Sequence, residues 1–440
     1  MMENNTMENP KLSVGQVSQS QSMLPYFVKT GGLFLAAVFV AAILPKIFDS
    51  RFALSMFNQM GIAIIFALSY NMLLGQGGLL SFGHAVFYGL GGFGAVHVMG
   101  MVNNGDLALW TEFLPLAGGL FSMLLGFIFG FISTRRAATP FALITMGIGE
   151  LLLASSLLLP TFFGGEEGIS GDRMTGITLT SFKFAQSIEV YYLILFWMFV
   201  CVIAMYLLTK TPLGQMANAV RDNHQRAQFI GYDPHKVRTF QFTLAAFFAG
   251  IAGGLFALNY EMVTAENLGM VPSADILMMT VIGGITYFFG PILGAIFITF
   301  LQMVVSNVTH AWMLYFGLLF IGMVVWAPDG LAGLIMRHQP IWKANRMKRI
   351  LPAYGLALAP ALLLFLGVII LVEINFHISL SIDPEAPLSI MGISFRAQSF
   401  PPWAMGFTLV GVGYFLFRKA GRKVSRAWNT VMAEIKQEGV

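Results

Sequence analysis

Charge is scarce in this sequence. Its 440 residues carry 25 Lys and Arg and 21 Asp and Glu, 10% of the chain, where a soluble domain carries about 25%. That is too little to cover a water-soluble body of this size. Cysteine is almost absent: Cys201 stands alone, which excludes an intramolecular disulfide framework and any multi-cysteine metal site. The seven histidines form no HxxxH pair, and none shares an apolar run with two carboxylates, so a metal site has no support. No GxxxxGK[ST] sequence occurs, so the chain does not look like a P-loop ATPase. The stretch Gly89-Leu90-Gly91-Gly92-Phe93-Gly94 fits GxGxxG, but it lies inside an apolar run with no strand before it, and a dinucleotide site is rejected.

Apolar residues are abundant, at 57% of the chain with a mean hydropathy of +0.74. A bilayer crossing needs roughly 20 apolar residues in a helix, because backbone groups in hydrocarbon must be satisfied within the segment. Runs of that kind lie at 25–44, 52–73, 79–101, 113–133, 140–160, 190–209, 239–260, 273–286, 290–309, 312–332, 351–372 and 402–418. The fold expected is all-α, a polytopic transmembrane helical bundle of about ten to twelve spans. Lys and Arg favour the cytoplasmic side. With both termini placed there, all but Lys46, Arg51, Arg173, Lys183 and Arg396 of the 25 basic residues fall inside. Residues 1–23, rich in Asn, Gln, Ser and Met and without an apolar core, read as a disordered cytoplasmic tail rather than a cleaved signal.

Two apolar segments, 73–95 and 281–295, are broken by glycine, the second at Gly283 and Gly284. Breaks in both halves point to a central pathway, while small residues at four-residue spacing equally serve close helix packing. Ionisable or polar groups within spans are functional candidates because burying them is costly. Glu150 is the carboxylate well inside a span, either a structural hydrogen-bond partner or a pathway group; Asp275 lies near the end of another. His84, with Ser81 and Asn71 nearby, either lines the pathway or packs helices.

The longest polar loop among those assigned inside, 210–238, contains an amphipathic stretch. Read as one helix over 213–230, it places Leu213, Met216, Ala219 and Val220 on one face, then Ala227 and Ile230, with Arg221, Asp222, Gln225 and Gln228 opposite. Gly231 ends it as a left-handed C-cap residue would. Such a helix either rests on the bilayer surface or docks a soluble partner.

The run Gln225-Arg226-Ala227, followed after three residues by Gly231, has the spacing of the Glu-Ala-Ala-x-x-x-Gly loop of ABC importer permeases. The longer segment "TPLGQMANAVRDNHQRAQFIGYDPHKVRTFQFTLAAFFAGIAGGLFA" resembles that of the high-affinity branched-chain amino acid permease family, which includes urea and short-amide permeases. "ALSYNMLLGQGGLLSFGHAVFYGLGGF", "LITMGIGELLLAS", "FGGEEGISG", "ILMMTVIGGITYFFGPILGA" and "WAPDGLAGL" resemble further family segments in the same order, covering about residues 30–336. Gln225 and Arg226 depart from the loop signature, and 337–440 extends beyond the usual family end with about two more spans and a basic tail.

The resemblance implies a permease domain at 24–336 and a non-enzymatic subunit of an ATP-driven importer in the bacterial inner membrane. Its implied partners are a second homologous permease, two cytoplasmic ATPase subunits and a periplasmic substrate-binding protein, besides membrane lipid and no nucleic acid. ATP is used by the partners, and no cofactor is expected on this chain. Branched-chain or other hydrophobic amino acids are the expected substrates, with urea or short amides as the alternative. An ion-coupled carrier is the competing class, although it would want several intramembrane carboxylates. Under the importer reading Arg221, Asp222, Gln225, Arg226, Ala227 and Gly231 are the candidates for ATPase coupling, and Glu166 and Glu167, in a Gly-rich external loop, either meet the binding protein or are ordinary solvated carboxylates.

Overall fold

The structure, a computed structural model, describes residues 24–180, 182–380, 388–390 and 393–437; the tail expected at 1–23 lies outside the described residues. The chain divides after Asp49 into two units. The first contains α1 (Leu24–Ile47). The second begins with α2 (Arg51–Asn71), whose last turn widens into a π segment at Met72–Gln76, and continues with α3 (Ala85–Asn103), α4 (Leu114–Ser133), α5 (Thr139–Leu158) and the single turn α6 (Pro160–Phe163). Helices α7 (Ser187–Lys210), α8 (Pro212–Asp222), α9 (His224–Phe229) and α10 (Pro234–Tyr260) follow. Then come α11 (Met270–Gly283), α12 (Gly290–Ser306), α13 (Trp312–Trp326), α14 (Gly330–Lys343), α15 (Met347–Leu380) and α16 (Phe400–Gln437). Two antiparallel strand pairs complete it: β1 (Ile169–Ser170) with β2 (Met262–Val263), and β3 (Leu388–Ile390) with β4 (Ile393–Phe395).

Every expected span is helical over most of its length, but not every one is long enough to cross a bilayer alone. Among the described residues eight helices have the length and apolarity of a crossing, or nine if α13 and α14, bent by 41° at their junction, form one broken span. Helices α11 and α12, with 14 and 17 residues, reach only about 21 and 26 Å at 1.5 Å per residue, short of the roughly 30 Å hydrocarbon core. Glycine backbones packed where α11 ends are one cause. Gly284 adopts φ +110° against the Asp329 carbonyl, and Gly330 adopts φ +67° against the Gly284 backbone. Three further boundaries moved: α3 starts at 85 rather than 79, the loop expected at 337–349 is helical through Lys343, and the tail after 417 continues as helix to Gln437.

Helices α3 and α10 are buried on nearly every side, with α2 and α4 packed against them. Lipid tails are as apolar as leucine, so what holds such helices together is close contact. The space a Cβ would need on Gly91 is taken by the Gly250 backbone, 2.7 Å away at its carbonyl carbon, and that on Gly118 by the Gly91 carbonyl, 3.1 Å at carbon. Ser122 seals the crossing by donating to the Phe87 carbonyl at 2.6 Å. Gly89 and Gly92 admit Leu268 and Val263 in the same way, and Gly94 admits Phe121. The Gly-rich pattern of 89–94 is therefore a packing surface, and the real chain break lies just before it.

Candidate translocation and coupling site

Helix α10, 27 residues or about 40 Å long, separates two ends of the bundle. At its start lie α8 and α9 and the end of α4, where Thr134 and Thr239 share a 2.8 Å hydrogen bond. At its finish, Met262 and Val263 pair with Ser170 and Ile169. Glu166 and Glu167 stand exposed beside that second end, in a turn where Gly164, Gly165 and Gly168 all have positive φ.

At the first end, the single helix expected over 213–230 is two. Thr211 accepts from Gly214 N to start α8. Asn223, extended at φ −157°, interrupts the helix and restarts it by accepting from Arg226 N at 2.9 Å. That is ordinary Asn behaviour at an N-cap. Gly231 has the positive φ (+96°) foreseen for it. The buried face consists of Gly214, Ala217, Val220 and Ala227, packed on Val237. Ala219 and Ile230, expected on that face, are exposed; Ala219 lies at the edge of the α8 face, and Ile230 is turned out because the break at Asn223 resets the helical phase. Phe229 is 92% exposed and Ile230 69%, with Tyr232 beside them. These three apolar side chains on a polar loop were not recognised in the sequence as a surface; in an unbroken helix Ile230 would have been covered.

Asp222, Gln225 and Arg226 point to solvent, but Arg221 does not act only there. Its guanidinium pairs with Asp222 at 2.9 Å and reaches into the bundle to donate to the Gly75 carbonyl. Gly78, at φ +63°, leaves room for the Arg221 stem: a Cβ there would sit 2.8 Å from Arg221 Cγ. Gly75 belongs to the π segment, where carbonyls leave the regular ladder. Gln241 of α10 donates to another of them, Met72.

The two glycine-broken segments meet at this point. A Cβ on Gly75 would lie 2.6 Å from the carbonyl oxygen of Ile285, the residue after Gly284, and would also strike Asn71. Around the break Asn71, Ser81 and His84 are all buried. Tyr70 donates to the Ser81 carbonyl at 2.9 Å, and Ser69 Oγ lies 3.0 Å from His84 Nε2. Phe66 stacks on the imidazole with centroids 5.7 Å apart. Asn71 Oδ1, Ser81 Oγ, His84 Nδ1 and Gln241 Oε1 find no partner among the described residues. These side chains are thus enclosed by protein instead of lining an open channel.

Glu150 is placed differently. It is the twelfth residue of the 20-residue α5 and is exposed, with no hydrogen-bond or ion-pair partner among the described residues. Gly147 and Ala154, three residues before and four after, are exposed on the same face. A separate cavity of about 200 Å³ opens between α2, α10, α11 and α12, and its polar lining is Gln59, Tyr88, Tyr260, Asn267, Asp275 and Gln302. Of these only Asp275 stood out in the sequence, since the others gather from five distant segments. Glu373, just past an expected span, falls inside the longer α15 and accepts from Tyr315 at 2.9 Å.

The profile of the family described as "Branched-chain amino acid transport system / permease component" matches residues 52–327, which take in the two broken segments, the α8–α9 loop, Glu150 and the cavity but not α1, α14, α15 or α16. The chain is 30% identical over 321 residues to the high-affinity branched-chain amino acid transport system permease proteins LivM of Salmonella typhimurium and Escherichia coli K12, covering 68% of this chain and 74% of each relative. It is 27% identical over 242 residues to the autoinducer 2 import system permease protein LsrC of Yersinia pestis, 52% of this chain and 62% of that one. No solved structure matches it. A multi-pass helical bundle, glycine-broken in both halves and matched to this family across its broken helices and polar loop, belongs to the branched-chain amino acid transport system permeases, a family of ABC-type permeases.

Proposed function

We propose that this chain forms one half of the translocation pathway of an ATP-driven importer of branched-chain or other hydrophobic amino acids. A second homologous permease completes the pathway, and two ATPase subunits drive it from the cytoplasm. The observation that carries this reading is Glu150. An ionised carboxylate at mid-bilayer costs roughly 3 kcal/mol or more if it faces lipid, yet this one is exposed and has no partner among the described residues. Protein or water must cover it. A second permease laid against Gly147, Glu150 and Ala154 supplies both: small residues let helices approach, and the carboxylate meets the hydrated space between subunits.

The α8–α9 end is assigned to the cytoplasm because the basic residues gather there, which puts both termini inside. Phe229, Ile230 and Tyr232 are then the anchors for the ATPases, since exposed aromatic side chains dominate docking energy. Asp222, Gln225, Arg226 and Ala227 surround or support them. The ATP is the partners' cofactor. Glu166 and Glu167, at the opposite end, face the periplasmic binding protein. The permease unit is taken to end near 336, although α14 runs across that boundary.

The relatives named LivM support branched-chain amino acids as substrates. Cysteines at Gly147 and Ala154 are expected to cross-link to the second permease when the transporter genes are co-expressed; the native Cys201 is buried and gives little background. Reconstituted with ATPases and binding protein, the complex is expected to take up leucine only with ATP, and excess urea or acetamide should not compete. Uptake by the purified chain alone, driven by an ion gradient, would make it a carrier and overturn the proposal.

A further inference from the structure

We propose that the cleft between α14, α15 and α16, outside the segment matched to the family, binds an anionic phospholipid. The cleft has a volume of about 440 Å³, within the range of about 300–1,000 Å³ usual for small-molecule sites. Its walls are mostly apolar or aromatic, with Leu334 from α14, Tyr354 from α15, and Phe417, Val424 and Trp428 from α16. It is held open by fixed contacts. His338 bridges the Leu334 carbonyl and Tyr354 hydroxyl at 2.7 and 2.9 Å. Beyond it Ile341, Ile350, Val431 and Ile435 form a closed core, and Glu434 ties Arg346 and Arg349.

The occupant follows from charge and depth. Arg337 lines the cleft and is paired with Asp329 at 2.8 Å. Outside the lining, Arg418, Lys419, Arg422, Lys423 and Arg426 are exposed along the stretch of α16 that borders the cleft, and none of these five has an ion-pair partner among the described residues. No acidic residue occurs in α16 before Glu434. These cations begin where the apolar run at 402–418 ends, the level at which phosphate headgroups lie. A basic cluster next to a span attracts anionic lipid, and Tyr and Trp favour the same interface. General retention of positive charge on one side of the membrane accounts for the cations but not for an apolar cleft beside them. A lipid satisfies both, with its acyl chain against Phe417 and Val424 and its phosphate among the arginines. Free phosphate would have no use for the apolar walls.

Native mass spectrometry of the delipidated full chain, titrated with phosphatidylglycerol or phosphatidylcholine, tests this. Phosphatidylglycerol is expected to bind about tenfold more tightly than phosphatidylcholine, and removing one cation should cost about fivefold, so Arg422→Gln with Arg426→Gln abolishes the preference. Gly421 lines the cleft, and a Cβ there has nothing within 4 Å. Gly421→Leu should therefore fold normally and displace the lipid by filling its place. Unchanged phosphatidylglycerol binding by Gly421→Leu would overturn the proposal. So would equal binding of both lipids, or displacement of the lipid by millimolar inorganic phosphate. If the arginine variants lose ATPase co-purification while lipid binding stays intact, the surface docks protein and the lipid assignment is wrong.

Discussion

The inward reach of Arg221 separates two roles that a coupling residue can have, and its replacement by alanine distinguishes them. If Arg221 were simply an ATPase contact, its loss would weaken docking. The structure gives it another partner, the Gly75 carbonyl in the π segment of α2. A charge-assisted hydrogen bond contributes about 1.5–3 kcal/mol, and a buried carbonyl left without a donor costs about 1–3 kcal/mol. Because the Arg221 side chain is 39% exposed, water recovers part of that, and about 1–2 kcal/mol is the appropriate range. Should the bond form in only one of the two transport states, its loss shifts their equilibrium about 5- to 30-fold. Arg221→Lys keeps the charge but loses the fork geometry, so an intermediate effect is expected. Gly78→Ala offers a second perturbation that leaves the charge intact: its methyl would stand 2.8 Å from Arg221 Cγ and push the side chain off the break. The positive φ of +63° adds about 1–2 kcal/mol of backbone strain, so its uptake is compared with that of Arg221→Ala at equal folded protein. In proteoliposomes of equal subunit content, both Arg221→Ala and Gly78→Ala should lower leucine uptake per ATP hydrolysed by at least fivefold while the ATPases still co-purify. Normal uptake by Arg221→Ala, or loss of ATPase binding in that variant alone, would refute the inward role.

Other substitutions test the packing, the coupling cap and the outward carboxylate. Gly91→Ala should destabilise the folded chain by about 1–3 kcal/mol because the Gly250 backbone cannot yield as a flexible side chain would; Gly100→Ala in the same helix, with nothing within 4 Å, should be neutral or stabilising by up to about 1 kcal/mol, and equal melting temperatures for the two would contradict this. Gly231→Val, forced to positive φ, should cost about 1–2 kcal/mol locally and reduce ATPase co-purification without affecting membrane insertion, as measured by pull-down against total membrane protein. Glu150→Gln should leave assembly intact and lower uptake roughly tenfold, the scale of a lost charge-assisted contact; wild-type uptake by that variant would show that Glu150 contributes no charge to the pathway.

The bundle was readable in the sequence because its main signal, apolar runs of span length, is local. All the expected runs are helical over most of their length, and the left-handed Gly231 followed from a single amphipathic stretch and its stop. What escaped depends on phase or on distance. Asn223 can continue a helix or cap a new one, and choosing the cap rotated Ile230 from the buried face to solvent. The short length of α11 is set in part by Gly284 and Gly330, 46 positions apart, backing onto each other. Gln59, Tyr260, Asn267 and Gln302 are unremarkable polar residues until their helices converge on one cavity. Glu150 was visible as a buried charge to be explained, but one sequence cannot say which way a mid-helix residue points when the helix is apolar on every side.

The glycines suggest why the polar cluster at the break is tolerated. Transport requires two arrangements separated by only a few kcal/mol, and a close-packed core does not deform continuously between them. The crossing of α3, α4 and α10, locked at Gly91, Gly118 and Gly250, has no slack for such motion. At the meeting of the two broken segments, by contrast, Asn71, Ser81, His84 and Gln241 each keep one polar atom without a partner among the described residues. Each such atom costs about 1–3 kcal/mol in a structure that uses it nowhere else. That cost is consistent with groups that exchange partners between arrangements, one state satisfying what the other leaves open. If coupling runs through Arg221, the movement enters the membrane at Gly75, beside these groups, and turns α2 and the α11–α12 hairpin against a rigid α3–α4–α10 block. Protection of the Leu73 to Ser81 amides against hydrogen exchange should then change with nucleotide while that of α10 does not, and equal changes in both would place the hinge elsewhere.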